Sequence, residues 1–176
     1  LSQLKPEYAS LKLPSGDTAL EIVTRLKSRI NELVKQQYDC FNTDILPNLE
    51  KEGFQFYTAQ TLPEKYIPAL KELFSTKYSL MLTPMAIDPS HPFPFITGKT
   101  LNLLVRLFSD KQPDLPLYAI IPIPTATPRF LRLDSGDGKA TFIYFEEAVK
   151  LFSSQLFVGY NIDKTCLFRI TRDAEI

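Results

Sequence analysis

The sequence is short of the residues that most enzyme centres are built from. It has one histidine, His91, and two cysteines, Cys40 and Cys166, which are far apart. One imidazole and two unpaired thiols cannot supply a zinc site of the usual ligand spacing. No G-x-S-x-G, P-loop or G-x-G-x-x-G run occurs, so the common nucleophile elbow and phosphate cradles are absent. Net charge is lacking too: 20 Lys and Arg balance 20 Asp and Glu. No overall field therefore draws the chain to nucleic acid or to an anionic membrane. No apolar run nears the roughly 20 residues of a membrane span. The N-terminal stretch carries Lys5, Glu7 and Lys12 and does not read as a secretory leader. The cysteines are expected to be small buried hydrophobes in a reducing cytoplasm.

What is present is the balance of a globular chain, 44% hydrophobic and 23% charged over 176 residues, enough for a substantial core. Residues 1–16 carry little pattern and read as a linker or domain edge. Residues 17–53 read as a helical segment. Leu20, Val23, Leu26, Ile30, Leu33, Val34, Tyr38, Phe41, Ile45 and Leu49 recur at three- and four-residue steps. Thr18 and Glu21 have capping-box spacing, Gly53 supplies a stop, and Pro47 predicts a kink or division near Thr43–Asp44. The stripe is expected to be a packing face, on this domain, on a neighbour or across a dimer seam.

Residues 54–176 read as an α+β domain. Phe54–Tyr57 is a short strand, and Thr61-Leu-Pro-Glu64 opens a second helix with Pro63 in its first turn. Tyr66, Ile67, Leu70 and Phe74 give that helix its apolar face. From Leu82 to Gly98 the prolines predict an ordered, aromatic-lined loop. Leu101, Leu103, Val105 and Leu107 alternate with Asn102 and Arg106, predicting one dry and one wet face. Leu117–Ile121 suits a central strand. Phe130–Leu133 and Thr141–Phe145 flank Asp134-Ser-Gly-Asp-Gly138, a hairpin turn. A third helix spans Glu146–Leu156, and Cys166, Phe168 and Ile170 alternate with Arg169 and Thr171 in a last strand. A long helix followed by a mainly antiparallel sheet with packed helices is the expected fold class, α+β.

Two runs are distinctive: Asp88-Pro-Ser-His-Pro-Phe-Pro-Phe95 and Thr171-Arg-Asp-Ala-Glu175. Together with Phe41–Phe54, Thr100–Leu103 and Pro128–Leu133, in that order, they resemble the middle or head region of the ATP-dependent, histidine-phosphorylating polyphosphate kinases. The resemblance runs from about Ala19 to the end. It implies an α+β middle domain shaped like a phosphoinositide-binding PX module, with residues 17–53 ending an N-terminal helical region. It also implies a parent enzyme that reversibly transfers the terminal phosphate of ATP to inorganic polyphosphate through a phosphohistidine. ATP and Mg2+ belong to that parent, with no cofactor or metal in this segment. The partners implied are the flanking N-terminal and catalytic domains, a second subunit and polyphosphate, in the cytoplasm, with no nucleic acid.

The family's phosphorylated histidine and its surrounding arginines lie further downstream and do not map onto this chain. No catalytic residue is therefore expected here, and the segment alone is expected to be inactive. His91 is taken as a loop histidine bonded to backbone rather than a phosphoacceptor. Pro89, Pro92, Pro94, Thr171, Asp173 and Glu175 are taken as structural motif positions. Phe93 and Phe95, which could stack on adenine, are expected instead to plug a core edge. Arg129, Arg132, Arg169 and Arg172 are the candidate polyphosphate contacts, since guanidinium groups grip phosphate oxygens in pairs. The competing readings are ordinary surface arginines, with Arg172 paired to Asp173 or Glu175, and, for the whole domain, a phosphate- or lipid-headgroup-binding module or a standalone interaction domain. Arg169 is expected opposite the apolar face of its strand.

Overall fold

A computed structural model describes residues 6–88, 90–134, 136 and 138–171. The chain divides into two compact units, Leu1–Gly53 and Phe54–Ile176.

The first unit is helical. A short helix, α1 (Pro6–Ala9), leads to a tight turn in which Gly16 takes φ +89°. The long helix α2 spans Ala19–Cys40 and opens on the expected capping box. Thr18 Oγ1 accepts from the Glu21 N–H at 3.3 Å, and Glu21 Oε2 accepts from the Thr18 N–H at 2.7 Å. Pro47 divides the helix as its chemistry requires. It has no N–H to give the Thr43 carbonyl, and its ring would strike that carbonyl in a regular helix. The backbone widens into one π-helical turn, Phe41–Ile45, closed by the Leu46 N–H on the Phe41 carbonyl. The helix then resumes as α3 (Leu46–Lys51) and stops at Gly53, whose φ of +85° suits glycine alone. No residue of α2 is buried, and its apolar stripe is open: Leu26, Ile30, Leu33, Val34 and Tyr38 are all exposed.

The second unit holds two sheets. One has three strands in the order β1 (Phe54–Tyr57), β6 (Ala140–Tyr144), β5 (Phe130–Leu133), with β1–β6 parallel and β5–β6 antiparallel. The other is antiparallel, in the order β2 (Met85–Ile87), β4 (Gln112–Pro122), β3 (Leu101–Ser109), β7 (Tyr160–Arg169). Between β1 and β2 runs a helical stretch, Glu64–Met81, whose α-helical part is α4 (Ile67–Leu73). Pro63 stands just before this stretch with extended ψ, and Pro68 occupies the first turn of α4, where a missing N–H costs nothing. The helix α5 (Phe145–Phe152) follows β6, with a 3-10 turn to Leu156.

One core cluster joins these elements. Leu70, Phe74 and Tyr78 come from the helical stretch, Leu103, Val105 and Leu107 from β3, Ile143 from β6, and Phe145, Val149 and Phe152 from α5. Ring pairs lock the helices together: Phe74–Phe152 centroids lie 5.3 Å apart and Tyr78–Phe145 5.0 Å. Prolines 113 and 116 are tolerated in β4 because that end pairs with β3 alone, leaving the other side unladdered.

Four expectations need correction. The proline loop is not irregular throughout: Met85–Ile87, free of proline, pairs with Tyr118–Ile120 as an edge strand. Asn102 is not on a wet face but is 1% exposed, its amide donating to the Thr100 carbonyl at 2.9 Å. The core side of β7 is the one bearing Thr165 and Leu167, paired with Val105 and Leu103, not the one bearing Cys166 and Phe168. Both cysteines are exposed, Cys40 on a helix with no buried residue and Cys166 on the outer side of edge strand β7.

Candidate functional site

The loop containing the sole histidine is an Asx turn. Asp88 Oδ1 accepts from the Ser90 N–H at 2.9 Å, which, with further bonds from Ser90 and His91, holds the Asp88 carboxyl below its usual range. His91 Nδ1 lies 3.1 Å from Asp88 Oδ2 and 3.1 Å from Ser90 Oγ. The imidazole thus bonds to side chains, while its backbone N–H meets the Asp88 carbonyl. At 76% exposure the ring has no enclosure that would hold a triphosphate against it.

Phe93 and Phe95 do not plug a core edge: they are 60% and 77% exposed, and the residue anchoring this loop is Ile96, at 1%. Beyond it Lys99 adopts φ +65°, unusual for a residue with a side chain, and its N–H donates to the Ile170 carbonyl at 2.7 Å. The exit of the proline loop is thereby tied to the chain at Ile170, just beyond β7. Pro92 and Thr171 are exposed and Pro94 is half-buried. Pro89, Arg172, Asp173 and Glu175 lie outside the described residues.

The candidate arginines are dispersed. Arg129 gives both Nε, at 3.1 Å, and Nη2, at 2.6 Å, to Glu146 Oε1. Its side chain is 61% exposed, whereas that of Glu146 is 6% exposed, so this ion pair is half solvated. Arg132 projects from the outer face of β5, opposite Phe142, beside an open hollow of about 570 Å³ lined also by Asp134 and Lys139. Arg169 ends β7 opposite Leu101, on the Leu167 side of the strand rather than opposite its apolar face, and is exposed. Arg129 and Arg132 belong with the three-stranded sheet and Arg169 with the other, so the structure gathers no arginine cluster from them.

Two features escaped the sequence reading. Glu146 and Glu147 open α5 and are both buried, at 5% and 8%. Glu147 pins the chain after β1 by accepting from the Ala59 N–H at 3.0 Å, and also from Lys150 Nζ. Paired carboxylates in a helix's first turn were the available signal. Burial and then the nearby Glu146 charge push the Tyr144 hydroxyl pKa up, against a smaller opposing pull from Arg129. The second missed feature is an aromatic outer face on the three-stranded sheet, signalled by the period-two spacing of Phe54 with Phe56 and of Phe142 with Tyr144.

Residues 68–176 match the family model described as the polyphosphate kinase middle domain. The polyphosphate kinase of Lactiplantibacillus plantarum is 32% identical over 93% of this chain and 22% of its own length. That of Halalkalibacterium halodurans is 32% identical over 99% of this chain and 25% of its own length. The crystal structure of polyphosphate kinase from Porphyromonas gingivalis superposes with a TM-score of 0.76 at 25% identity, over 97% of this chain and 27% of that one. The chain spans about a quarter of the length of the curated relatives it matches. With its loop and terminal motifs, its α+β fold and this match agreeing, the chain belongs to the polyphosphate kinase family and carries its middle domain.

Proposed function

We propose that the chain is an architectural segment of a full-length polyphosphate kinase. That parent reversibly transfers the γ-phosphate of ATP, with Mg2+, to inorganic polyphosphate through a phosphohistidine carried elsewhere in the polypeptide. The observation that carries this reading is the match to polyphosphate kinases over nearly all of this chain but only about a quarter of theirs. Residues 17–53 end an N-terminal helical region, and residues 54–176 form the middle domain. The open stripe of α2 supports this division, because an amphipathic helix with no buried residue needs other helices to cover it. In the parent those helices are the remainder of the N-terminal region, and the enzyme is a cytoplasmic homo-oligomer.

The segment holds its neighbours around the ATP and polyphosphate site and performs no transfer itself. Arg169, which is exposed, and Arg172, the arginine of the terminal motif, are the better polyphosphate contacts; Arg129 is already committed to Glu146, and Arg132 stands on the aromatic outer face of its sheet. A lipid-headgroup module is less well supported, since its concentrated basic pocket has no counterpart in these dispersed arginines.

The test is polyphosphate synthesis from ATP. The full-length protein should make polymer, lose that ability when Mg2+ is chelated, and keep it in His91→Ala. Polymer made by the 176-residue chain alone would overturn the architectural reading.

A further inference from the structure

We propose that the outer face of the three-stranded sheet seats an apolar, carboxylate-bearing protein element from elsewhere in the full-length polypeptide. This rests on the reading of the chain as a segment of a longer polyphosphate kinase.

Strand register builds the face. Phe56 pairs with Phe142, Phe142 with Arg132, and Tyr144 with Phe130, so these five side chains share one side of the sheet, and Phe54 joins them by alternation. Their strand neighbours Leu131, Leu133, Thr141 and Ile143 point inward and are buried. A sheet face left to water ordinarily alternates polar side chains outward. Here five aromatic rings point outward instead, with Phe54 38% and Phe130 45% exposed. An apolar surface of that extent marks a contact surface, and aromatic residues with arginine are the composition enriched at protein interfaces.

The charge on the face selects the occupant. Among the described residues, Arg132 is the one charged side chain that the three strands themselves place on this face; Asp134, just beyond β5, lines the hollow beside it and accepts from the Gly136 N–H at 3.1 Å. A second copy docked on the same face about a two-fold axis would bring only the same patch, a second arginine and no strand carboxylate to meet it. An element bringing an Asp or Glu to Arg132 satisfies it. A single-stranded nucleic acid would also supply negative charge, but it needs free ring faces on which bases can stack. The central ring, Phe56, is already stacked on Phe142 at 5.5 Å and 20°, with Phe130 at 5.6 Å and Tyr144 at 6.1 Å around it. The relatives, about four times as long, have ample further chain to provide the element.

Hydroxyl-radical footprinting read by mass spectrometry tests this on the 176-residue chain and on the full-length protein. Phe130 and Tyr144 should be oxidised at least about fivefold more slowly in the full-length protein, as expected where an interface excludes water. That protection should survive roughly hundredfold dilution, since an intramolecular contact does not obey mass action. Arg132→Glu should bring the full-length rates back towards those of the chain, Arg132→Gln should do so partway, and neither should alter the chain alone. Equal rates in both proteins overturn the proposal. So does protection that vanishes on dilution, which assigns the face to a second copy, and so does protection of the chain's own rings by oligouridylate. A gene encoding only these residues would remove the segment reading and the proposal together, whereas equal oxidation within a longer chain removes the proposal alone.

Discussion

Replacing Arg129 by alanine tests its role as the support for Glu146. Glu146 is 6% exposed and both guanidinium bonds fall on its Oε1, while Oε2 has no partner among the described residues. Deleting the arginine leaves a buried carboxylate with neither oxygen paired. Removing one member of a fully buried pair costs about 3–5 kcal/mol, and removing one from an exposed pair about 0–1. With one partner buried and the other 61% in solvent, the loss should fall between, at about 2 kcal/mol. Urea unfolding reads it as a lower midpoint at unchanged slope. Glu146→Gln in the Arg129→Ala background should recover part of the loss, because a neutral amide is cheaper to bury unpaired. A loss under about 0.5 kcal/mol, the scatter of ordinary surface substitutions, would refute the structural assignment. So would a double variant weaker than Arg129→Ala alone.

Further outcomes follow from other parts of the chain. Phe74→Ala, at a site with no exposure and against Phe152, should cost about 3–5 kcal/mol in the same unfolding assay. Gly53→Ala should cost about 1–2 kcal/mol through its φ of +85° alone, since a Cβ there meets nothing within 4 Å. The Thr18 N–H holds the Glu21 carboxyl below its usual value, so the cap's contribution is complete above the unfolded-state carboxylate pKa and is lost as pH falls through the depressed one. Acidification should therefore reduce helical circular dichroism at the start of α2, and Thr18→Ala should blunt that response. Arg169→Ala should weaken low-salt polyphosphate binding by the full-length protein, and binding indifferent to it would remove it as a contact.

The parts legible in the sequence were those decided by neighbouring residues. The Thr18–Glu21 cap, the division at Pro47, the stop at Gly53 and the antiparallel pairing of the strands on either side of Asp134–Gly138 all rest on local chemistry, and each formed where its residues stood. Pairing across the chain was harder to read. In β7 the run Thr165-Cys-Leu-Phe168 offers apolar groups to both sides, and its core side follows from a register that shifts between Arg106 and Leu107 of β3. The role of Glu147 depends on Ala59, 88 residues away, and two adjacent buried glutamates contradict what composition suggests of charged residues. Phe93 and Phe95 misled because ring hydrophobicity says nothing about which side of a loop faces water. The family was legible through the proline loop and the terminal run, and neither of those contributes an enclosed reactive group among the described residues.

On the architectural reading, this chain carries no phosphoacceptor of its own. Incubation with γ-labelled ATP, followed by mapping of acid-labile phosphate, tests it on the 176-residue chain and the full-length protein side by side. Label is expected on a histidine outside these residues in the full-length protein, and none on the chain. Acid-labile phosphate on His91 in either protein would rule the architectural reading out.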